Sequence, residues 1–238
     1  MFGCGEFSGD LSTITFMDVP LWNMCYVIVT GRSLLWLLLS LLALVIMLSA
    51  FMSSSWLVGP VEKGKWETPS EGIYTRCKFM TAEKTLHCGP FALDGLATSG
   101  EVFPGAWKAT MFFIALGLAI MAVTVFCGIV GCCFQSVFKK SIFTISGAAQ
   151  ACAGIAYIMG VMLYPVAWGE PRVVRLCKYG STAFYPNQCS LGWGVYAAIG
   201  GTALTFLCAC LSVTAERATS SDKVQDKIHE GRTLICLA

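Results

Sequence analysis

The stretch that decides the fold is Leu34–Met52, which reads LLWLLLSLLALVIMLSAFM and contains no charged residue. It is the first of four long stretches without Asp, Glu, Lys or Arg, and a helix needs only ~20 apolar residues to cross a membrane. Backbone polar groups in lipid must be satisfied within their own segment, so these stretches predict helices. The four predicted spans cover residues 34–52, 111–134, 142–164 and 194–213.

The composition of the whole chain supports a mainly α-helical membrane protein. Of its 238 residues 56% are hydrophobic and 13% are charged, whereas charged residues make up ~25% of soluble proteins. A soluble chain of this length has too much surface per volume to hide that much apolar side chain from water. The net charge of +2 gives no electrostatic case for binding nucleic acid. We therefore expect the chain to lie in a lipid bilayer.

The spans divide the chain into three regions. We expect residues 1–32 to form an N-terminal tail, residues 33–215 the four-helix domain and residues 216–238 a C-terminal tail. The first span starts too late in the chain, and has too little positive charge before it, to be a cleaved signal peptide. Met1 and Met24 are both candidate starts of translation.

The number of spans is even, so both tails lie on the same side of the membrane. Two long links, residues 53–110 and 165–193, lie on the other side. Lys and Arg number seven on the side of the tails and nine on the side of the long links. The positive-inside rule weights short loops, however, and the short link between the second and third spans contains Lys139 and Lys140. We expect both termini in the cytosol.

Four of the thirteen cysteines support this orientation. The first long link contains Cys77 and Cys88, and the second contains Cys177 and Cys189. An even number of cysteines in such links is expected of disulfides on the oxidising side of a membrane. Four cysteines allow three connectivities. We expect Cys77–Cys88 and Cys177–Cys189, because these spacings of 11 and 12 residues close short loops.

Another cysteine pair, Cys132 and Cys133, lies near the cytosolic end of the second span. Juxtamembrane cysteines are candidate palmitoylation sites. The interpretation that we favour is that they are small, buried, apolar residues. A zinc site is not expected, because no histidine lies near the pair.

Enzyme or transporter chemistry is not predicted. The histidines His87 and His229 lie in no metal-binding or nucleophile motif. No charged residue lies in the core of a span, whereas pumps, proton-coupled transporters and intramembrane proteases depend on such residues. We therefore expect no catalytic residue, no metal site and no cofactor. Gln150, the most polar side chain in a span, is interpreted as a hydrogen bond between helices rather than as a contact in a pore.

Small residues recur four positions apart in the third span, in pairs such as Gly147 with Ala151 and Ala156 with Gly160. This spacing lets the backbones of two helices approach closely. We expect these faces to contact other helices of this chain rather than a helix of a partner.

The long links and the end of the third span also contain a set of motif residues: Trp56, Gly72, Tyr74, Tyr164, Pro165, Trp168, Gly169, Gly192 and Trp193. The first three, followed by two cysteines, resemble the first-loop motif of the claudin superfamily, although Tyr74 stands where many members have Trp. The others are similar to motifs of the LHFP-like (lipoma HMGIC fusion partner-like) tetraspans. Residues 25–30, 139–143 and 218–225 are similar to subtype 2 of that family.

The resemblance implies a left-handed bundle of four transmembrane helices. A small extracellular antiparallel β-sheet, locked by a Cys77–Cys88 disulfide, would cap it. Since other subtypes act as auxiliary subunits, the resemblance implies an accessory protein that assembles, stabilises or traffics a larger membrane protein. The alternative is a claudin-like adhesion or paracellular barrier protein, which would form a homo-oligomer. The six basic and six acidic residues of the first link give a barrier no clear selectivity.

The C-terminal tail contains an acidic dileucine pattern, Glu230 followed by Leu234 and Ile235. Adaptor proteins read such a sorting signal as an extended peptide. A signal that is used would bring the protein to endosomal or lysosomal membranes as well as to the plasma membrane. The alternative is an amphipathic helix that runs from Ser221 to Ile235.

Overall fold

The chain forms a helix bundle with a small β-sheet at one end, as the sequence predicts. The structure is a computed structural model, and it describes residues 27–61, 67–79, 85–90, 104–130, 136–137, 140–178, 180–221, 226 and 234–237. The helices are α1 (Gly31–Met52), α2 (Gly105–Val130), α3 (Ile142–Leu163), α4 (Pro171–Cys177) and α5 (Trp193–Thr219). A 3₁₀ helix over Tyr164–Gly169 joins α3 to α4.

Four of the described helices, α1, α2, α3 and α5, are long and apolar enough to cross a membrane. Three of them are longer than the predicted spans, and α1 begins at Gly31 rather than at residue 34. The helix α2 begins at Gly105 rather than at residue 111, and α5 ends at Thr219 rather than at residue 213. The prediction followed the charge-free residues, but a helix also accommodates a charged residue such as Lys108 near its end, where the long side chain reaches water.

The four long helices leave large apolar side chains exposed. On α1 these are Leu34, Leu35, Leu38, Leu41, Leu42, Val45, Leu48 and Met52. Such a continuous apolar surface is unstable in water but suits the hydrocarbon core of a bilayer. The surface of the bundle therefore agrees with a membrane location.

The described strands are β1 (Val27–Thr30), β2 (Leu57–Val58), β3 (Ser70–Glu71), β4 (Thr75–Phe79), β5 (Leu86–Pro90), β6 (Ser136–Val137), β7 (Lys140–Ser141), β8 (Ser190–Leu191) and β9 (Leu234–Leu237). Five of them form an antiparallel sheet in the order β5-β4-β3-β2-β8. We call this sheet, together with the 3₁₀ helix and α4, the cap. The cap lies at the end of the bundle where α1 and α3 end and where α2 and α5 begin.

Residues expected to lie in the two tails pair with each other. The strand β1 leads into α1 and pairs in parallel with β9, with Val27 opposite Leu234. The predicted division into a four-helix domain and two tails stays a prediction. The contact between β1 and β9 was not expected, because parallel pairing between residues so far apart leaves no local periodicity in the sequence. Thr30 then caps α1, since its hydroxyl accepts a hydrogen bond from the Ser33 N–H at 3.2 Å. Residues 1–26 lie outside the described residues.

Small residues bring the helices of the bundle together. Gly147 of α3 approaches Ser212 of α5 so closely that a Cβ atom at Gly147 would overlap the Ser212 side chain. Gly160, near the other end of α3, packs against Ile114 of α2 in the same way. The prediction that these small-residue faces contact helices of the same chain is therefore confirmed for both glycines.

A polar network joins three helices inside the bundle. The Gln150 Nε2 donates to the Ser40 Oγ at 2.8 Å, so α3 is linked to α1. The Trp36 Nε1 donates to the Gln150 Oε1 at 3.2 Å and to the backbone oxygen of Cys208 in α5 at 3.1 Å. The interpretation of Gln150 as a hydrogen bond between helices is confirmed.

Candidate functional site: the cap and its junction with the bundle

Two disulfides hold the cap together. Cys77 of β4 is bonded to Cys88 directly opposite it in β5, with Cα atoms 4.0 Å apart. Cys177 at the end of α4 is bonded to Cys189, which precedes β8, with Cα atoms 5.0 Å apart. These are the pairings expected from the sequence. The first closes a hairpin, and the second ties α4 to the outermost strand on the other side of the sheet.

An aromatic cluster lies where the cap meets the bundle. The Tyr164 ring centroid is 5.0 Å from that of Trp56, 5.4 Å from that of Trp107 and 6.3 Å from that of Trp168. All four side chains are buried. The three tryptophans are therefore not ordinary residues of the membrane–water interface, because protein rather than lipid headgroups surrounds them.

Tyr164 links the sheet to the helices through hydrogen bonds as well. Its hydroxyl donates to the backbone oxygen of Glu71 in β3 at 2.8 Å, and its own backbone oxygen accepts from the Trp107 Nε1 at 3.1 Å. Pro165 follows at the start of the 3₁₀ helix, where its missing N–H favours the end of the α-helical pattern. Tyr164 was identified from the sequence motif, but the motif did not indicate that Trp107 is the partner of Tyr164.

Two glycines of the motif allow close contacts at the same junction. Gly72 lies against the backbone oxygen of Ser53, and Gly192 lies against that of Ser55. A Cβ atom at either glycine would overlap that oxygen, so any larger residue must shift the backbone. Through these two contacts, the segment that follows α1 packs against the first link on one side and against the second link on the other.

The remaining motif residues lie around this junction. The Tyr74 ring stacks on that of Phe51 with centroids 6.0 Å apart. Gly169 lies beside the turn that contains Thr182. Trp193, the first residue of α5, is 53% exposed and does not belong to the aromatic cluster. An exposed tryptophan at the end of a spanning helix is typical of the membrane–water interface.

A buried ion pair was missed by the sequence analysis. The Arg172 Nε of α4 donates to the Glu71 Oε1 of β3 at 2.8 Å, and the two side chains are only 9% and 11% exposed. Burial raises the pKa of the Glu71 carboxyl, against the opposing effect of Arg172 and, more weakly, of Arg76 and Arg175. The partners are 101 residues apart in the chain. No spacing rule in the sequence connects them.

Other candidate residues lie wholly or partly outside the described residues. Cys132, Cys133 and Glu230 are among these, so palmitoylation and the acidic part of the sorting signal stay predictions. Leu234 and Ile235 lie in β9, which contradicts the alternative of a helix from Ser221 to Ile235. Extended backbone at this position is stabilised by pairing with β1. In the described part of the chain, no group of three or more His, Cys, Asp or Glu residues is placed to hold a metal ion.

Comparison with known sequences decides the family. Residues 32–214 match the family described as lipoma HMGIC fusion partner-like protein. The chain belongs to this LHFPL tetraspan family. The LHFPL tetraspan subfamily member 2 protein of Homo sapiens is 43% identical over 231 residues, which cover 90% of this chain and 100% of that protein. Member 2a of Danio rerio is 43% identical over 228 residues, with the same coverage of both chains. Member 3 of Danio rerio is 24% identical over 201 residues, which cover 81% of this chain and 87% of that protein.

In this LHFPL tetraspan, most of the motif residues join the cap to the bundle. Trp56, Gly72, Tyr164 and Gly192 contact α1, the cap sheet or the 3₁₀ helix at the junction. The chain is thus a multi-pass membrane protein of a family that is not known for enzymes. The junction joins the cap to the helices through these contacts.

Proposed function

We propose that this LHFPL tetraspan is an accessory protein that assembles, stabilises or traffics a larger membrane protein. The observation that supports this most directly is the junction built around Tyr164. Hydrogen bonds and stacked rings join the cap to the bundle, and two disulfides hold the cap itself together. A partner that contacts both cap and helices would meet a preorganised surface, which lowers the entropy lost on binding.

The cap is proposed to lie outside the cytosol, with both termini inside. Disulfides persist in oxidising compartments, and both disulfides of the described chain belong to the cap. The link between α2 and α3 contains Lys139 and Lys140, which favour the cytosolic side. The plasma membrane is the proposed location, and use of the dileucine signal would add endolysosomal membranes.

Adhesion between copies of the chain is the second candidate. It is favoured by a turn of the cap in which Phe184 and Tyr185 are 58% and 60% exposed. Phe184 has a φ of +64°, a region that non-glycine residues seldom occupy. Backbone hydrogen bonds between Thr182 and Tyr185, at 3.0 and 2.9 Å, hold this turn. Exposed aromatic side chains on a fixed turn suit contact with another protein.

The test is to purify the tagged chain from its native membranes in mild detergent and to identify what co-purifies. We expect a larger membrane protein in near-stoichiometric amount, whose surface level falls when the LHFPL chain is removed from the cells. Tyr164→Ala should lose this partner, because it disrupts the junction. Tyr196→Ala is the matched control, since Tyr196 is an exposed tyrosine of α5.

Two results would contradict the accessory role. If only the chain itself is recovered, as oligomers concentrated at cell contacts, adhesion replaces it. If the surface level of the co-purified protein does not change on removal of the LHFPL chain, co-purification does not reflect an accessory role.

A further inference from the structure

One half of a face of the cap sheet is basic and open to solvent. Residues opposite each other on neighbouring strands share a face of the sheet, as do residues two apart on one strand. Arg76 lies opposite Gly89, and Lys78 lies opposite His87, so these residues of β4 and β5 share a face. Glu71 lies opposite Arg76 on that face, where Arg172 of α4 contacts it.

The degree of coverage differs between the two halves of this face. Glu71 and Arg172 are buried beneath α4, Arg76 is half-buried, and Lys78 and His87 are exposed. A shallow cavity of about 160 Å³ lies on the exposed half. It is lined by Arg76, Lys78, His87, Cys88, Gly89 and Pro90. A cavity with this lining attracts negatively charged groups.

The cavity lies at the edge of the sheet. In the part of the chain that the structure describes, β5 is the outermost strand next to β4. The Cα atoms of Cys77 and Cys88 are 4.0 Å apart, which is closer to the ~4.5 Å of a non-hydrogen-bonded antiparallel pair than to the ~5.5 Å of a hydrogen-bonded one. The backbone N–H and C=O of Cys88 therefore point away from β4. Cys88 is exposed even though it is disulfide-bonded, so its outer side is accessible.

Gly89 leaves an opening between this edge and Arg76. Glycine contributes no side chain to this row of the sheet, and a Cβ atom placed at Gly89 would meet no atom of the described residues within 4 Å. A long acidic side chain on a strand added next to β5 can therefore reach across Gly89 towards Arg76. Two positions along that strand, a second acidic side chain would lie opposite His87 and near Lys78.

We propose that β5 pairs with an extended acidic segment of the larger membrane protein that this chain accompanies, through two acidic residues separated by one residue. Added strands of this kind gain affinity from main-chain hydrogen bonds and specificity from alternate side chains. This inference rests on the proposed accessory function and names the chemistry of the partner. The same edge of a second copy fits less well, because it would place basic side chains opposite one another.

The test uses the purified full chain in lipid nanodiscs and a labelled peptide in which two glutamates alternate with valine and threonine. We expect measurable binding by fluorescence anisotropy that weakens as salt is raised. The same peptide with glutamines should bind at least tenfold more weakly. A peptide N-methylated at the residue opposite Cys88 should also bind at least tenfold more weakly, because it cannot donate to the edge.

Three variants separate the site from general effects. Lys78→Glu should weaken binding of the glutamate peptide at least tenfold, and Gly89→Val should weaken it without a change of charge by filling the opening. Lys178→Glu is the matched control, since Lys178 is an exposed lysine of the cap outside this face, and it should bind like the original chain. An intact Cys77–Cys88 disulfide, seen on non-reducing gels, shows that each variant has folded.

Several outcomes would overturn the inference. Equal binding by Lys78→Glu would exclude the basic face, and equal binding of the N-methylated peptide would exclude strand pairing. Self-association of the chain in nanodiscs that Lys78→Glu abolishes would assign the edge to a second copy. If Lys78→Glu retains a genuine partner in co-purification, this inference fails while the accessory function stands. If no partner exists, the accessory function fails whatever the peptide does.

Discussion

Replacement of Arg172 by methionine is the sharpest test of how the cap is held on the bundle. The substitution preserves much of the apolar volume but removes the group that donates to the Glu71 Oε1 at 2.8 Å. The Glu71 side chain would stay almost fully buried, because only 11% of it is exposed. Removing one partner of a buried ion pair destabilises a protein by about 3–5 kcal/mol. Arg76 lies opposite Glu71 in the sheet and compensates in part, so we expect about 3 kcal/mol.

The assay is thermal unfolding of the purified chain in detergent. A loss of 1 kcal/mol lowers Tm by roughly 2–4 °C in a chain of this size, so Arg172→Met should lower Tm by about 6–12 °C. Arg175→Met is the matched control, because Arg175 lies three residues further on in the same helix and is exposed. A surface substitution of this kind usually changes stability by less than about 0.5 kcal/mol.

A double-mutant cycle isolates the pair itself. Once Arg172 is methionine, Glu71→Gln removes the buried charge and should restore part of the lost Tm. Two results would refute the reasoning: an Arg172→Met variant that melts with the original chain, or a double variant whose loss equals the sum of the two single losses. Either would mean that the 2.8 Å contact contributes no coupling energy.

The remaining predictions concern four other measurements. Because burial raises the pKa of Glu71, the folded cap holds this proton more tightly than the unfolded chain does. Stability should therefore rise as pH falls from neutral through the raised value towards 4.5, and Tm measured against pH should lack this rise in Glu71→Gln. Gly201→Ala places a Cβ atom against α1 and should cost about 1–3 kcal/mol. Gly200→Ala should not lower Tm, since its Cβ meets no atom within 4 Å in the part of the chain that the structure describes. Gln150→Leu breaks the link between α3 and α1, and its Tm should report a loss of about 1 kcal/mol. Cys88→Ser frees its partner thiol and should retain the chain in the endoplasmic reticulum, so normal surface labelling would contradict the role of the disulfide.

The amino-acid sequence by itself determined the four spans, the membrane location and the family. A spanning helix satisfies its backbone within one segment, so its length and apolarity can be read from consecutive residues. The prediction was least accurate at the helix ends, as at Gly105 and Thr219. At these two ends the helix continues beyond the apolar stretch and includes charged residues. Hydrophobic periodicity therefore gives little information about where the helix begins or ends.

The motif residues were found from sequence, but their roles were not. Tyr164 and Trp56 were named as family residues, yet a motif does not show that their rings meet or that Trp107 stacks on Tyr164. Trp193, another of the family residues, lies outside the aromatic cluster. Residues named by the same resemblance thus have different surroundings, because the fold rather than the spacing decides what lies beside them.

Only the tertiary structure decided which distant residues meet. The Glu71–Arg172 pair joins the two links across 101 residues, and β1 pairs with β9 near the other end of the chain. The basic edge around Lys78 exists because β5 is the outermost of the described strands next to β4. Burial, pairing and exposure of this kind depend on where the chain returns in space. Local hydrophobicity and spacing do not encode that path, whereas they encode a membrane span almost completely.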